Sequence, residues 1–249
     1  MELKGTAAIV TGGTGGLGRR ICWRLAQEGV NVALVYLKSK EAAEAYADEL
    51  SALGPRAVAV QADITTQEGI DAMIAAALKE FGRVDILVND AAYNRWIPFK
   101  DIETLDGDVF THMLHYNLVA PYLAMRSVAP IMKRQGQGRI VNIASVAGLK
   151  PTGSSIAYAT SKSALIHLSR CMAVALAPEI IVNSVSPGLM EGTRMTNNLA
   201  PEYQEATKRS AALGRAADKD DVADVVLMYC RTDSVTGQTL VIDSGVFYH

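Results

Sequence analysis

A glycine-rich turn near the start of the sequence constrains the fold more than any other feature. The apolar run TAAIVTG (residues 6–12) leads into TGGTGGLG (11–18), and the helical pattern LGRRICWRLAQEG (17–29) follows. Five glycines in eight residues are costly in backbone entropy unless the turn needs them. A strand, such a turn and a helix start together predict a cradle for a pyrophosphate, because free backbone N–H groups and the helix dipole meet there. The alternative is an ordinary tight turn.

Short apolar runs alternate with longer helical patterns through the whole chain. Strands are predicted at 6–12, 31–37, 56–63, 84–90, 138–145, 180–188 and 238–243. Helices are predicted at 17–29, 40–54, 66–81, 106–134, 156–177 and 218–230. This order predicts the α/β class: a single Rossmann-type, doubly wound, mostly parallel seven-stranded sheet with helices on both faces. No linker or repeat interrupts the pattern, so we predict one dinucleotide-binding and catalytic domain over residues 1–249, with an irregular, partly helical segment at 189–212.

Composition argues against several other classes of protein. The net charge of −2 gives no sign of a nucleic-acid or membrane surface. The first residues lack the apolar core of a signal peptide, and no stretch approaches the ~18 apolar residues of a membrane span. Three scattered cysteines and the pair His112 and His115 form no metal-ligand pattern. We expect a cytoplasmic protein with no metal, nucleic-acid or membrane partner, and a mobile terminus at His249.

The second predicted strand carries information on cofactor choice. A site for NAD expects a carboxylate about 20 residues after the glycine turn, where it holds the ribose 2′-hydroxyl. The strand instead ends in VYLKSK (35–40), and the first carboxylate is Glu41. Lys38 would attract a 2′-phosphate and Ser39 could hydrogen-bond it, whereas Lys40 is expected to be solvated. The sequence therefore favours NADP(H), with NAD(H) as the alternative.

Tyr158 and Lys162 stand four residues apart in AYATSKSAL (157–165). On a helix, positions i and i+4 lie on one face, about 5–6 Å apart at Cβ. Either the two side chains form a solvated surface pair, or the ammonium lowers the pKa of the phenol for proton transfer. The spacing alone leaves both possibilities open.

Taken in order, the motifs resemble those of the short-chain dehydrogenase/reductase family over essentially the whole chain. The matching elements are TGGTGGLG, Asp63, NDAA (89–92), Asn117, Ser145, YATSK (158–162), PG (187–188) and TGQTLVIDSG (236–245). The stretch YLKSKEAAEA (36–45) is similar to that of 3-oxoacyl-thioester reductases in this family. Asp90 and Ala92 depart from the usual N-N-A-G pattern.

The resemblance implies a catalytic set of Asn117, Ser145, Tyr158 and Lys162. Tyr158 is expected to act as general acid in carbonyl reduction, or as base in the reverse direction. Lys162 is expected to lower the pKa of Tyr158 and to hydrogen-bond the nicotinamide ribose. Ser145 is expected to hold the substrate oxygen, and Asn117 to anchor a water that links Lys162 to solvent.

The resemblance also implies cofactor and substrate contacts. The cofactor contacts are Gly12, Thr14, Gly16, Leu17, Gly18, Tyr36, Lys38, Ser39, Asp63, Ile64, Asn89, Ala91, Tyr158, Lys162, Pro187, Gly188, Met190 and Thr193. Asp63 is expected to bind the adenine amino group, and Thr193 the carboxamide. Asn89 and Ala91 are expected to line the adenosine ribose. The substrate contacts are Ser145, Tyr158, Met190 and Met195, with the segment 189–212 covering the substrate. Trp96 follows the fourth predicted strand, at the sheet edge where ligands bind, so it either lines an apolar substrate wall or packs under a loop.

We therefore expect an NADPH-dependent reductase that converts a ketone, either a 3-oxoacyl compound or an apolar ketone, to a secondary alcohol. An alcohol, polyol or sugar dehydrogenase that uses NAD is the alternative within the family. A cofactor-binding sensor without catalysis is the alternative from another class. The resemblance implies a homotetramer or a dimer, paired through the long helices at 106–134 and 156–177.

Overall fold

The computed structural model describes residues 1–248, so the prediction for His249 lies outside the described residues. Its centre is one sheet of seven parallel strands. The strands are β1 Ala7–Thr11, β2 Asn31–Tyr36, β3 Ala57–Gln61, β4 Ile86–Asn89, β5 Gly138–Ile143, β6 Ile180–Pro187 and β7 Thr239–Ile242. The predicted doubly wound sheet is confirmed, and it is wholly rather than mostly parallel.

The strand order β3-β2-β1-β4-β5-β6-β7 creates a crevice at its centre. The chain builds outward from β1 to β3 on one side, then returns to place β4 beside β1 on the other. The loops that follow β1 and β4 therefore leave the sheet in opposite directions, and ligands of such sheets bind where they separate.

Helices cover both faces of the sheet. They are α1 Gly16–Gln27, α2 Lys40–Ser51, α3 Gln67–Phe81, α4 Gly107–Leu114, α5 Ala120–Gln135, α6 Ile156–Leu176, α7 Arg194–Asn197, α8 Pro201–Ser210 and α9 Lys219–Arg231. The apolar residues of α1, α2 and α9 pack into one core cluster, and those of α3, α5 and α6 into a second on the opposite face. Strands buried on both sides explain why β1 and β2 read as continuous apolar runs.

The long helix predicted at 106–134 is interrupted. Five residues, His115–Val119, form a π-helical turn between α4 and α5. Such a turn places one extra residue in the helix and is often found at functional sites. The interruption was not predicted, because apolar spacing does not distinguish a π turn from the α-helix on either side of it.

Candidate active site

A deep cleft of about 890 Å³ opens at the carboxyl ends of the strands. The wall includes most of the predicted site residues, namely Gly12, Thr14, Gly16, Leu17, Tyr36, Lys38, Ser39, Asp63, Ile64, Ala91, Ser145, Tyr158, Lys162, Pro187, Gly188, Met190, Thr193 and Met195. Gly18, Asn89, Trp96 and Asn117 are absent from this wall. The cleft runs from the glycine turn at one end to Tyr158 and the 189–212 segment at the other.

The glycine turn is packed so closely that side chains would not fit. A Cβ on Gly18 would lie 2.2 Å from the carbonyl oxygen of Gly12, and one on Gly13 would lie 2.7 Å from Cβ of Leu34. Gly12 has a φ of +69° and approaches the backbone of Ala91. The turn therefore presents backbone at the start of α1, which fits a pyrophosphate group. Gly18 is not part of the cleft wall, and its lack of a Cβ allows its close contact with Gly12.

The end of β2 forms one side of the cleft without a carboxylate. Tyr36 is buried, whereas Lys38 and Ser39 are exposed on the wall. Ser39 precedes α2 with a φ of +66°, a backbone conformation that is uncommon for a residue other than glycine. The ammonium of Lys40 lies 3.6 Å from the carboxylate of Glu44, one turn along α2. Lys40 is therefore paired within its own helix.

The end of β3 contributes an acidic group. The side chain of Asp63 accepts hydrogen bonds from the backbone N–H of Thr65 at 2.9 Å and from its hydroxyl at 2.6 Å. These bonds hold the pKa of Asp63 below its ordinary value, so the carboxylate is ionised at neutral pH. Its neighbour Ile64 is buried on the same wall.

The end of β4 is anchored to β1 by the hydroxyl of Thr11, which accepts from the backbone N–H groups of Asp90 at 3.1 Å and Ala91 at 3.2 Å. Asn89, which the resemblance places at the adenosine ribose and in the stabilisation of the sheet, does not line the cleft. Its side chain donates to Asn142 of β5 at 2.8 Å. Asn89 therefore ties neighbouring strands together beneath the site.

Asp90 is a partly buried carboxyl on the cleft wall that the family pattern alone would not predict. Burial raises its pKa from 3.8 to about 7, against the opposing effects of Lys162 and the backbone N–H of Gly18. Burial also lowers the pKa of Lys162 to about 8, and Asp90 opposes that change. The two side chains thus stabilise each other's charged forms within the cleft.

The local structure of α6 positions Tyr158. The hydroxyl of Ser155 caps the helix by accepting from the backbone N–H of Tyr158 at 3.1 Å, which places the tyrosine in the first turn. Burial raises the pKa of Tyr158 to about 12, although a hydrogen bond with Ser145 acts to lower it. Asp90 and Tyr203 raise it further.

Lys162 lies one turn along the same helix. Its ammonium is 5.8 Å from the centre of the Tyr158 ring and donates to the carbonyl of Ile143 at 2.8 Å. The side chain is only 2% exposed, so the pair is not a solvated surface pair. Burial is the largest cause of the raised Tyr158 pKa, and the nearby Ser145, Asp90 and Tyr203 modify it.

Asn117 lies in the π turn behind the catalytic end of the cleft. Its side-chain oxygen accepts from the backbone N–H of Tyr93 at 2.8 Å, and its nitrogen donates to the carbonyl of Tyr93 at 2.9 Å. The same nitrogen donates to the hydroxyl of Ser161 at 3.0 Å. Asn117 therefore joins the loop after β4 to α6.

Residues of the segment 189–212 line the cleft at its Tyr158 end. Thr193 caps α7 by accepting from the backbone N–H of Thr196 at 3.1 Å. Tyr203 of α8 accepts from the backbone N–H of Gly153 at 3.0 Å, and its hydroxyl lies 2.9 Å from that of Thr152. These contacts hold the segment against the loop that precedes α6.

Trp96 lies beside the cleft rather than in its wall. Its ring packs against Tyr203 with the ring centres 5.2 Å apart, and it lines a smaller neighbouring pocket. Sequence reasoning overlooked Tyr203 and the role of Asp90. The only signal for Asp90 was its departure from N-N-A-G, and an irregular segment gave no signal for Tyr203.

Two further observations concern the pair His112 and His115 and the possibility of a membrane span, both considered from the sequence. His115 lies 2.8 Å from the carbonyl oxygen of Thr65, and His112 packs edge-on against Tyr93. Among residues 1–248, none of the helices combines the length and apolar character needed to cross a bilayer.

Comparison with known proteins agrees with this geometry. The model of the short chain dehydrogenase family matches residues 6–204. The 3-oxoacyl-(acyl-carrier-protein) reductase FabG of Staphylococcus aureus is 33% identical over 244 residues, which are 97% of this chain and 98% of that protein.

Two solved structures are similar over the whole chain. An NADPH-dependent 3-quinuclidinone reductase from Rhodotorula rubra has a TM-score of 0.89 and 26% identity, covering 98% of this chain and 92% of that one. An NAD+-bound xylitol dehydrogenase has a TM-score of 0.88 and 30% identity, covering 98% of this chain and 100% of that one. The chain therefore belongs to the short-chain dehydrogenase/reductase family of oxidoreductases, which bind nicotinamide cofactors and act on CH–OH and C=O groups.

Proposed function

We propose that this protein is an NADPH-dependent reductase that converts a ketone to a secondary alcohol. The observation that carries the proposal is the position of Ser145, Tyr158 and Lys162 in one wall of a cleft whose other end is the glycine turn. When bound, the cofactor supplies the hydride. The residues of the chain hold the carbonyl oxygen and deliver the proton.

Tyr158 is the proton donor in this proposal. A pKa of about 12 keeps its hydroxyl protonated at neutral pH, which suits reduction better than oxidation. Lys162 is charged below about pH 8, and its ammonium stabilises the phenolate that forms as the proton leaves. Ser145 donates to the substrate oxygen, where negative charge develops. Asn117 maintains the shape of the site and the proposed path from Lys162 to solvent.

Cofactor choice in the proposal depends on the end of β2. Lys38 and Ser39 face the cleft, and the structure gives Lys38 no ion pair within residues 1–248. A cation without a carboxylate beside it attracts the 2′-phosphate of NADP(H). In this proposal, Asp63 and Ile64 hold the adenine ring, and Thr193 holds the carboxamide. NAD(H) remains the alternative.

The substrate in this proposal is a 3-oxoacyl compound or another ketone with an apolar body. The apolar residues at the catalytic end are Leu189, Met190, Met195, Leu199 and Val246. The kinship with a 3-oxoacyl reductase supports the first option. The similarity to a xylitol dehydrogenase keeps an NAD-dependent polyol or sugar dehydrogenase as the second candidate function.

We further propose that residues 1–249 act as one domain in a cytoplasmic homotetramer, or in a dimer. Long helices α5 and α6 expose apolar side chains, with Val174 at 82%, Tyr122 at 41% and, just before α5, Val119 at 37%. Such residues on neighbouring helices are suited to pairing with a second copy. Light scattering tests this directly, and a monomer mass would contradict it.

Cofactor titration is the first test of the proposed function. NADPH and NADH are added separately to wild type and to Lys38→Ala, and binding is followed by nicotinamide fluorescence. We expect tighter binding of NADPH, and a loss of about tenfold for NADPH alone in the variant, because one charge-assisted contact is removed. Lys40→Ala is the matched control, since Lys40 pairs with Glu44. Equal affinity for the two cofactors would contradict the assignment.

Turnover by Tyr158→Phe is the second test. Acetoacetyl thioesters and neutral apolar ketones are assayed with both reduced cofactors, and xylitol with both oxidised ones. We expect the variant to lose at least about a hundredfold in kcat while it still binds NADPH. Near-normal turnover by the variant would refute the role of Tyr158. A wild type that turns over no ketone would refute the reductase.

A further inference from the structure

A second pocket of about 360 Å³ adjoins the catalytic end of the cleft. Its lining residues are Ala92, Tyr93, Asn94, Arg95, Trp96, Arg194, Met195 and Asn198. Ala92, Tyr93, Asn94, Arg194 and Met195 line the main cleft as well. The two cavities therefore share a wall close to the proposed site of reaction.

The pocket concentrates positive charge. Arg95 comes from the loop after β4 and Arg194 from the start of α7, so two distant segments each contribute a guanidinium. Both arginines are exposed, and within residues 1–248 neither guanidinium forms an ion pair or a side-chain hydrogen bond. Five arginines elsewhere in that range are unpaired as well, so the distinguishing feature is that two such guanidinium groups line one pocket. The arginines that do pair with carboxylates are Arg19, Arg20, Arg24, Arg56, Arg83, Arg139 and Arg231. The described lining of the pocket contains no aspartate or glutamate.

Side-chain hydrogen bonds hold the two segments together. Asn94 donates to the carbonyl of Met195 at 2.9 Å, and Asn198 donates to the side-chain oxygen of Asn94 at 2.8 Å. The backbone N–H of Ile97 donates to the carbonyl of Ser154 at 2.8 Å. The backbones that carry the two arginines are thus held in place, which reduces the entropy lost when a ligand binds.

We infer that this pocket binds an anionic group of the substrate, either a carboxylate or a phosphate, while the ketone lies at Tyr158. Guanidinium groups bind both anions through paired charge-assisted hydrogen bonds. The inference rests on the proposed function and refines its substrate class: a ketone whose body carries a negative charge. A carboxylate would belong to a free oxo acid, and a phosphate to the carrier arm of a thioester.

Matched pairs of ketones test the inference. One arm compares levulinate and its longer methyl-ketone homologues with their neutral methyl esters. The other compares acetoacetyl-coenzyme A, which carries phosphates, with S-acetoacetyl-N-acetylcysteamine, which has none. We expect at least one anionic ketone to be preferred about tenfold in kcat/KM, and the preference to disappear in Arg95→Gln and Arg194→Gln.

Arg134→Gln is the control, because Arg134 is exposed in the last turn of α5 and lines neither cavity. It should keep the wild-type preference. The arm that responds identifies the anion. Equal use of anionic and neutral ketones, or a preference that survives both variants, would overturn the inference. In either case, turnover of the neutral ketones would leave the proposed reductase intact.

A binding assay decides the matter if no ketone is turned over. Trp96 lines the pocket, so its emission reports on occupancy. Titration with levulinate and with inorganic phosphate should change the emission of wild type, and the change should be absent in Trp96→Phe and in Arg95→Gln. An unchanged emission in wild type would refute anion binding in this pocket. That result would stand apart from the separate finding that no ketone is turned over.

Discussion

Replacing Asp90 with asparagine should change how the stability of the folded protein depends on pH. Burial raises the pKa of Asp90 from 3.8 to about 7. A carboxyl whose pKa is raised by folding binds a proton more tightly in the folded state, so stability falls as pH rises between those two values. The asparagine side chain of the variant keeps nearly the same shape and does not titrate.

The size of the effect follows from the shift. The pKa rises by about three units, and each unit corresponds to about 1.4 kcal/mol. Wild type should therefore lose unfolding free energy relative to Asp90→Asn between about pH 4 and pH 7, by an amount on the order of a few kcal/mol. Comparing the pH dependence of two proteins cancels the constant effects of the substitution on packing and hydrogen bonding.

Urea unfolding followed by fluorescence at a fixed protein concentration measures the difference. Asp220→Asn provides a control of opposite sign. Arg20 lowers the pKa of Asp220, so this carboxylate stabilises the fold above its ordinary pKa and loses that contribution in acid. Parallel pH profiles for wild type and Asp90→Asn would refute the reasoning, because they would mean that Asp90 titrates as if exposed to water.

Two other predictions concern packing in the cleft. Gly18→Ala should lower the free energy of unfolding by about 1–3 kcal/mol and weaken NADPH binding, because the new Cβ would lie 2.2 Å from the Gly12 carbonyl oxygen. Thermal unfolding and NADPH titration measure the two effects. Gly107→Ala is the control, since a Cβ at Gly107 would meet no atom within 4 Å. Tyr203→Phe should raise the KM for the ketone about fivefold while cofactor affinity is unchanged, because its hydroxyl bonds to the backbone of Gly153. An unchanged KM would mean that this bond does not hold the segment closed.

Most of the fold was predictable from the sequence because its main signals are local. Alternating apolar runs and helical patterns identified the strands and the major helices, and the glycine turn placed the crevice after β1. The π turn at His115–Val119 could not be predicted in this way. Within this turn, Asn117 bonds to Tyr93 and Ser161, which are distant in sequence and which local apolar spacing does not reveal.

The candidate site was predictable where it depends on backbone and on linear spacing, and less so where it depends on burial. The spacing of Tyr158 and Lys162 left their role open until the ordered motifs pointed to the family, and it gave no indication of their pKa values. The phenol has a raised pKa because of burial. Asp90 lies in the loop after β4 and affects Lys162 on α6 through space. For Trp96 the sequence left open a place in the substrate wall or packing under a loop, and the ring packs on Tyr203 beside the cleft.

The two ends of the cleft are therefore specified by different kinds of interaction. At the cofactor end, the backbone of the glycine turn leaves no room for a Cβ at Gly18, so any functional variant must keep this geometry. At the substrate end, side-chain bonds such as Asn94 to Asn198 join a loop to a short helix. Those side chains, and the arginines beside them, can change without disturbing the sheet. Substrate choice must consequently be argued from the charge and shape of the 189–212 segment and the loop after β4, and not from the family fold.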